Sequence, residues 1–290
     1  MKLAITGSNG YIGKHLLDFF LKEAYCIVGM QRNYLSIKNN LSFLYYDLSD
    51  NVDFSDHKDI DVLIHCAFVE FSQTNKNADT VNTKAATNLI SECSITRTKI
   101  IYLSTFSAHE SATSHYGVNK FKLESLFKDA GHIVLRLGIV VSEDGGMFPQ
   151  MLHTIRSSKV LPLISGGHQP MQFIDIKRLC EVVKKAIHYK GTVNEFNIGS
   201  CDYITMERFY NKIILKLNLK RYRIYVPIWI MFLVIKFSKI IGIQLPFNNE
   251  NLLGLKAMRY IETMDSLLEL EMPIFYSMDV FKLFLLKVES

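Results

Sequence analysis

The sequence predicts an α/β fold in which a parallel sheet is wrapped on both faces by helices. Short apolar runs recur through the first half, amphipathic stretches separate them, and a glycine-rich turn joins the first run to the first such stretch.

KLAIT (2–6) supplies the first strand. Ile12, Leu16, Phe19 and Phe20 follow at spacings of four, seven and eight, the repeat of one helical face. YCIVGM (25–30), LSFLYY (41–46), DVLIHCA (61–67), KIIYLS (99–104) and HIVLRLG (132–138) are the next strands. They are continuously apolar, as strands covered on both faces must be. After about residue 148 the rhythm loosens. SGGHQPMQ (165–172) is turn-rich, QFIDIKRLCEVVKKAIH (172–188) returns to a strand and a helix, and VNEFNIGS (193–200) is another strand. The predicted division is a main domain over 1–165, to which 172–190 returns, and a smaller C-terminal α/β substrate lobe made of 148–171 and 191–290, interleaved with it.

With 290 residues, 49% hydrophobic and 21% charged, the chain reads as an ordinary globular protein with room for a large core. Its formal charge of +5 is not gathered in one run, which argues against a nucleic-acid partner and suits a phosphorylated small molecule. Five widely spaced cysteines in mostly apolar strings read as reduced core residues. The opening directly on a strand leaves no room for a secretory signal, so a cytoplasmic protein is expected. IWIMFLVI (228–235) is too short to cross a bilayer before Lys236 and Lys239. It predicts a packed helix of the second lobe, with a helix touching a membrane as the alternative; membrane contact is not expected. The nine histidines show no metal-ligand spacing, and no metal is expected. His168 and Gln172, on a loop, are further candidates for touching substrate, and Arg156 and Arg208 for meeting a diphosphate.

ITGSNGYIG (5–13) places Gly7, Gly10 and Gly13 three apart between a strand and a helix. This is the geometry that receives a dinucleotide pyrophosphate, and it makes the first domain a Rossmann-type doubly wound sheet. Gly7 permits the tight turn, Gly10 lets backbone approach phosphate, and Gly13 lets the helix pack against the sheet. Unpaired N–H groups at the helix start meet the negative charge. Ser8, Asn9, Tyr11 and Ile12 complete this candidate cofactor loop. At the end of the second strand stands Arg32, with no carboxylate nearby in sequence where one would bind ribose hydroxyls; a guanidinium suits a 2′-phosphate, so NADP(H) is favoured over NAD(H). Asp47 and Leu48, after the third strand, are candidates for the adenine edge.

YGVNK (116–120) sets Tyr116 and Lys120 on one helical face. The expectation is that the Lys120 ammonium lowers the Tyr116 pKa toward neutrality, so that the phenol exchanges a proton with a carbonyl or carbinol oxygen. Ser104, Thr105 and Ser107 follow a strand end, where ligands of open α/β sheets bind, and offer a second hydroxyl.

TGSNGYIG, DL at 47, HCA at 65, VN at 81, YLSTFSA, YGVNK and LRLGIV, in this order, resemble the extended short-chain dehydrogenase/reductase superfamily, the nucleotide-sugar epimerase, dehydratase and reductase group. The resemblance spans most of residues 1–200. It implies that Tyr116 is the acid/base, that Lys120 binds the nicotinamide ribose, and that Thr105, with Ser107 as a second candidate, holds the reacting oxygen. It further implies that Cys66, Ala67 and Phe68 line the cofactor and that Leu137, Gly138, Ile139 and Val140 border the nicotinamide. Related dehydratases follow the threonine with Asp and Glu; Phe106 and Ser107 stand there instead, which argues against dehydration. The expected activity is an NADP(H)-dependent reductase of a keto nucleotide sugar. An NAD-dependent epimerase of a nucleotide sugar and a non-catalytic NADP-binding protein are the alternatives, and a homodimer is the possible assembly.

Overall fold

The computed structural model describes residues 1–33, 40–72, 74–143, 145–242, 245 and 247–285. Strands β1 (Lys2–Thr6), β2 (Cys26–Gln31), β3 (Leu41–Tyr45), β4 (Val62–His65), β5 (Lys99–Thr105) and β6 (Ile133–Leu137) alternate with helices α1 (Tyr11–Lys22), α2 (Ala78–Thr96) and α3 (His115–Asp129). Beyond them lie β7 (Ile139–Val141), α4 (Met147–Ser157), β8 (Val160–Ile164), β9 (Pro170–Met171), β10 (Phe173–Asp175), α5 (Ile176–His188), β11 (Glu195–Ile198), β12 (Ile204–Thr205), α6 (Met206–Lys216) and β13 (Tyr222–Val226). The chain continues through α7 (Ile228–Ile240), α8 (Asn249–Lys256), α9 (Met264–Glu269) and α10 (Ser277–Leu285).

Seven strands form one parallel sheet in the order β3-β2-β1-β4-β5-β6-β11. The chain runs outward from β1 to β3 and then restarts on the other side of β1. That reversal opens a crevice at the carboxyl ends of β1 and β4, where such sheets bind ligands. Side chains alternate across the sheet: Leu3 and Ile5 join the layer under α1 and α5, while Ala4 joins the layer containing Leu89 of α2 and Leu123 of α3. Both faces are buried, which is why the interior strands lack polar alternation, while the edge strand β11, Glu-Phe-Asn-Ile, retains it.

One expected boundary moves. The strand at 195–198, assigned from sequence to the second lobe, pairs with β6 as the seventh strand of the main sheet. Its four residues, Glu-Phe-Asn-Ile, do not distinguish a sheet edge from a lobe strand, and pairing alone places them. Three two-stranded sheets, β7 with β10, β8 with β13 and β9 with β12, lie outside the main sheet. Of the five cysteines, all free, Cys93, Cys180 and Cys201 are buried, but Cys26 is exposed at the first position of β2.

Helix α3 is held to the sheet by ionic groups. Glu124 has no solvent-exposed side-chain surface; it accepts from Ser104 Oγ of β5 at 2.5 Å and from Arg136 Nε of β6 at 2.8 Å. Arg136 also pairs with Glu195 of β11, which in turn takes Lys128 of α3. The network thereby ties α3 across β5, β6 and β11. Burial raises the Glu124 pKa, and the Arg136 and Ser104 bonds oppose that rise.

A second clasp sits at the crevice. The Thr6 hydroxyl accepts the N–H groups of Cys66 and Ala67 at 3.0 and 3.1 Å, which uses both its lone pairs. Its proton therefore goes to His65 Nδ1, 2.8 Å away, and fixes the neutral ring with its hydrogen on Nε2.

Two outcomes are expected. Arg136→Met leaves the Glu124 charge buried and unpaired and should cost about 3–5 kcal/mol in urea unfolding, with Glu124→Gln in the same chain recovering much of the loss. Burial holds His65 down at about 3 and His132 at about 4, against 6.5 for the unfolded ring. The unfolded chain thus binds protons that the folded chain refuses, and stability should fall as pH drops below 6.5, by up to about 1.4 kcal/mol per pH unit for each ring. Melting temperature against pH measures this, and His65→Gln should flatten the decline.

Candidate functional site

The glycine turn is built as tightly as its sequence requires. Gly7 has a φ of 63°, and its carbonyl accepts the Gly10 N–H at 2.8 Å. A Cβ on Gly13 would stand 2.2 Å from that carbonyl oxygen, and one on Gly7 3.1 Å from the backbone of Ala67. No side chain fits at these positions, so bare backbone faces the crevice beside the first N–H groups of α1, which have no helical partner. A cleft of about 250 Å³ opens here. Gly7, Gly10, Tyr11, Ile12 and Gly13 form one wall, and Cys66, Phe68, Glu70, Leu103, Ser104, Tyr116, Lys120 and Leu137 form the rest. A glycine-floored cleft at a helix N-terminus fits a dinucleotide.

The remaining expected cofactor residues are placed less uniformly. Ser8 is buried and donates to Gln31 Oε1 at 2.8 Å, bracing the turn against β2. Asn9 is exposed at the turn's tip. Ala67 contributes its backbone to the Thr6 clasp. Leu48 is buried in the core. Asp47 accepts from Ser49 N and Oγ at 2.9 and 2.6 Å, and these bonds, more than Arg32, hold its carboxyl below the usual range. Arg32 is 74% exposed, with Nε 3.9 Å from Asp47. Leu137 reaches the cleft. Gly138 abuts Gln172, where a Cβ would lie 2.7 Å from its carbonyl oxygen, and Ile139 and Val140 pair with Phe173 and Ile174.

Tyr116 and Lys120 lie one turn apart on α3 and line the cleft, Lys120 buried and Tyr116 half-buried. The Thr105 hydroxyl accepts the Ser107 N–H at 3.2 Å and stands close enough to the phenol to lower its pKa. Gly117, where a Cβ would be 2.4 Å from Ser107 O, lets the start of α3 press on this loop. The Phe68 ring meets Tyr116 edge-on at 5.3 Å. Thus Thr105, Tyr116 and Lys120 converge, while Ser107 contributes its backbone.

The expected electrostatics are reversed. Tyr116 is pushed up to about 12, first by burial and then by the Glu70 charge, with the Thr105 bond opposing them. Lys120 is itself brought down to about 8 by burial. Its ammonium donates to Leu103 O at 2.8 Å and sits 4.5 and 4.7 Å from the Phe68 and Tyr102 ring centres. Committed to a carbonyl and two ring faces, it does not offset the desolvation of a phenolate. The phenol therefore holds its proton at neutral pH.

Glu70 was not singled out from sequence, because no local spacing marks it; only the loop after β4 brings it to the cleft. Glu124 had a legible signal, standing eight residues after Tyr116 and four after Lys120 on the same face. Gln172, expected to meet substrate, is buried instead: its amide donates to Ser200 O and Ile261 O and accepts the Ile261 N–H, each at 2.8 Å. His168, Arg156 and Arg208 are exposed and do not line this cleft. No group of three or more His, Cys, Asp or Glu suited to a metal occurs among the described residues.

No curated protein matches this sequence. Among solved structures, the UDP-glucuronic acid 4-epimerase of Bacillus cereus in complex with NAD is 20% identical, with a TM-score of 0.67 over 89% of this chain and 97% of that one. The UDP-glucose 4-epimerase of Thermotoga maritima with UDP-glucose is 16% identical, with a TM-score of 0.65 over the same shares. The UDP-N-acetylglucosamine 4-epimerase of Methanobrevibacter ruminantium, in complex with UDP-N-acetylmuramic acid, is 17% identical, with a TM-score of 0.64 over 78% of this chain and 85% of that one. These likenesses establish the fold. Residues 3–199, more than half of the chain, match the NAD dependent epimerase/dehydratase family, and the protein belongs to it.

Proposed function

We propose that this protein is an NAD-dependent epimerase of a nucleotide sugar, inverting a ring carbinol by oxidation and re-reduction. The observation that carries the choice of NAD is the Arg32–Asp47 approach of 3.9 Å. A cation reserved for a 2′-phosphate gains nothing from a carboxylate at its side, whereas a carboxylate there suits ribose hydroxyls. An epimerase keeps its dinucleotide, while a reductase exchanges it at every turnover. The similar solved structures named above are epimerases, one in complex with NAD and two with UDP-sugars, which supports the same reading.

Bound NAD supplies the hydride acceptor and donor at nicotinamide C4. Tyr116 receives the carbinol proton as the C–H bond breaks and returns it to the same oxygen once the sugar has presented its other face. Thr105 donates to the phenolic oxygen and stabilises its charged form. Lys120, buried beneath the cofactor cleft, donates to ribose hydroxyls on exchanging its bond to Leu103 O. Glu70 stands at the exposed rim, where its carboxylate accepts sugar hydroxyls and disfavours a carboxylated sugar. Because Tyr116 rests protonated, the oxidising half-reaction demands that its pKa fall on assembly of the complex, and the positive charge of the oxidised nicotinamide acts in that direction.

The test is nuclear magnetic resonance of UDP-glucose and UDP-N-acetylglucosamine incubated with the protein and catalytic NAD. The expected result is a C4 epimer with no net change in reduced cofactor. Steady consumption of NADPH with a keto nucleotide sugar would instead favour the reductase. Tyr116→Phe should lower kcat by at least about a hundredfold while leaving NAD affinity nearly unchanged. In the oxidising direction kcat rises with pH as the phenol ionises. Glu70→Gln removes a charge that raises the phenol pKa, so the rise should move to lower pH, read from kcat–pH profiles of the two proteins.

A further inference from the structure

We propose that the outer face of α7, together with the basic segment leading into it, docks on the surface of an anionic phospholipid bilayer. Helix α7 is apolar on two sides. Its inner stripe, Met231, Ile235 and Ser238, is buried, with Met231 and Ile235 clustered with Ile164 and Leu252. Its outer stripe is Trp229, Leu233 and Phe237, each one turn from the next, continued by Ile240 and Ile241. These are exposed, Trp229 and Phe237 to 61% and Ile240 to 70%. The packed helix expected from sequence is thus packed on one side only. A continuous apolar stripe left in water marks a contact surface.

Charge selects the partner. Between Glu207 and Glu250 there is no Asp or Glu, and the 42 residues 208–249 carry eight Lys or Arg, whereas the rest of the chain has 25 against 28 acids. The modest net charge therefore hides one strongly basic surface segment. Lys220, Arg223 and Lys236 are exposed on it. A two-fold contact between copies through this face would bring like charges together with no acid of the segment to answer them. Nucleic acid would satisfy the cations and leave the apolar stripe wet. A bilayer interface with anionic headgroups satisfies both.

The geometry allows lying on the membrane but not crossing it. Thirteen helical residues extend about 20 Å, short of the roughly 30 Å hydrocarbon core. No helix among the described residues is long and apolar enough to span. The docked helix is also close to the candidate site: α7 packs on α8, whose Glu250 accepts the His115 N–H at 2.7 Å, one residue before Tyr116.

Trp229 is the only tryptophan of the chain and reports directly on this face. With vesicles of phosphatidylcholine and phosphatidylglycerol, the full chain is expected to co-sediment and its emission to shift to the blue. Phosphatidylcholine alone or high salt should weaken both effects. Lys220→Glu with Lys236→Glu should reduce partitioning by at least about thirtyfold. Phe237→Ser should reduce it as well, while circular dichroism and NAD affinity stay at wild-type values. Failure to co-sediment with anionic vesicles at low salt would overturn the proposal. So would a lipid-free blue shift that follows protein concentration together with a dimeric mass, which would assign the stripe to a second copy.

Discussion

Glu124 carries its charge where no water reaches it, and the position of α3 follows from how that charge is held. Ser104 and Arg136 reach it from two adjacent strands, and Arg136 is held in turn by Glu195 on the sheet's edge. A buried carboxylate with this many partners tolerates little displacement, because each lost bond leaves a desolvated group behind. The same helical face carries Lys120 and Tyr116 at successive turns above it. The phenol is thereby aimed at the crevice by charge pairs that lie beyond the cleft.

The candidate site sets burial against charge. Both members of the Tyr-Lys pair are driven toward their neutral forms, Tyr116 upward and Lys120 downward. A protein that only needed stability would fill this space with apolar side chains. Burying the Lys120 ammonium and half-burying the Tyr116 phenol is costly, and the cost is concentrated beside a floor of bare glycine backbone. Groups kept dry respond strongly to any charge brought next to them, since little water screens it. That sensitivity is what the proposed epimerisation requires of Tyr116, whose proton would leave and return at the same oxygen.

The lobe containing α7 follows different physics. Its small cluster around Met231, Ile235 and Leu252 is far more modest than the two layers of the main sheet. Instead of burying all its apolar surface, α7 exposes half of it next to a segment without acids. One part of the chain is thus organised around a dry crevice, and another around an amphiphilic outer face.

Periodicity and glycine spacing sufficed for the first six strands, the turn at Gly7–Gly13 and the helix of Tyr116 and Lys120, because apolar runs and turn residues are written within a few positions, and their alternation with helices implied parallel pairing between strands far apart in sequence. Sequence reading stopped where distant segments meet. Glu195–Ile198 looks the same whether it closes the main sheet or belongs to the lobe, and only its pairing with β6 distinguishes them. Glu70 enters the cleft, and Gln172 leaves it for Ser200 and Ile261, through loop paths that no spacing encodes. The direction of the Tyr116 shift is not legible in the sequence for the same reason. Spacing along α3 brings an ammonium near a phenol, but burial and the bond to Leu103 O, both set by the sheet behind, determine what that charge can do.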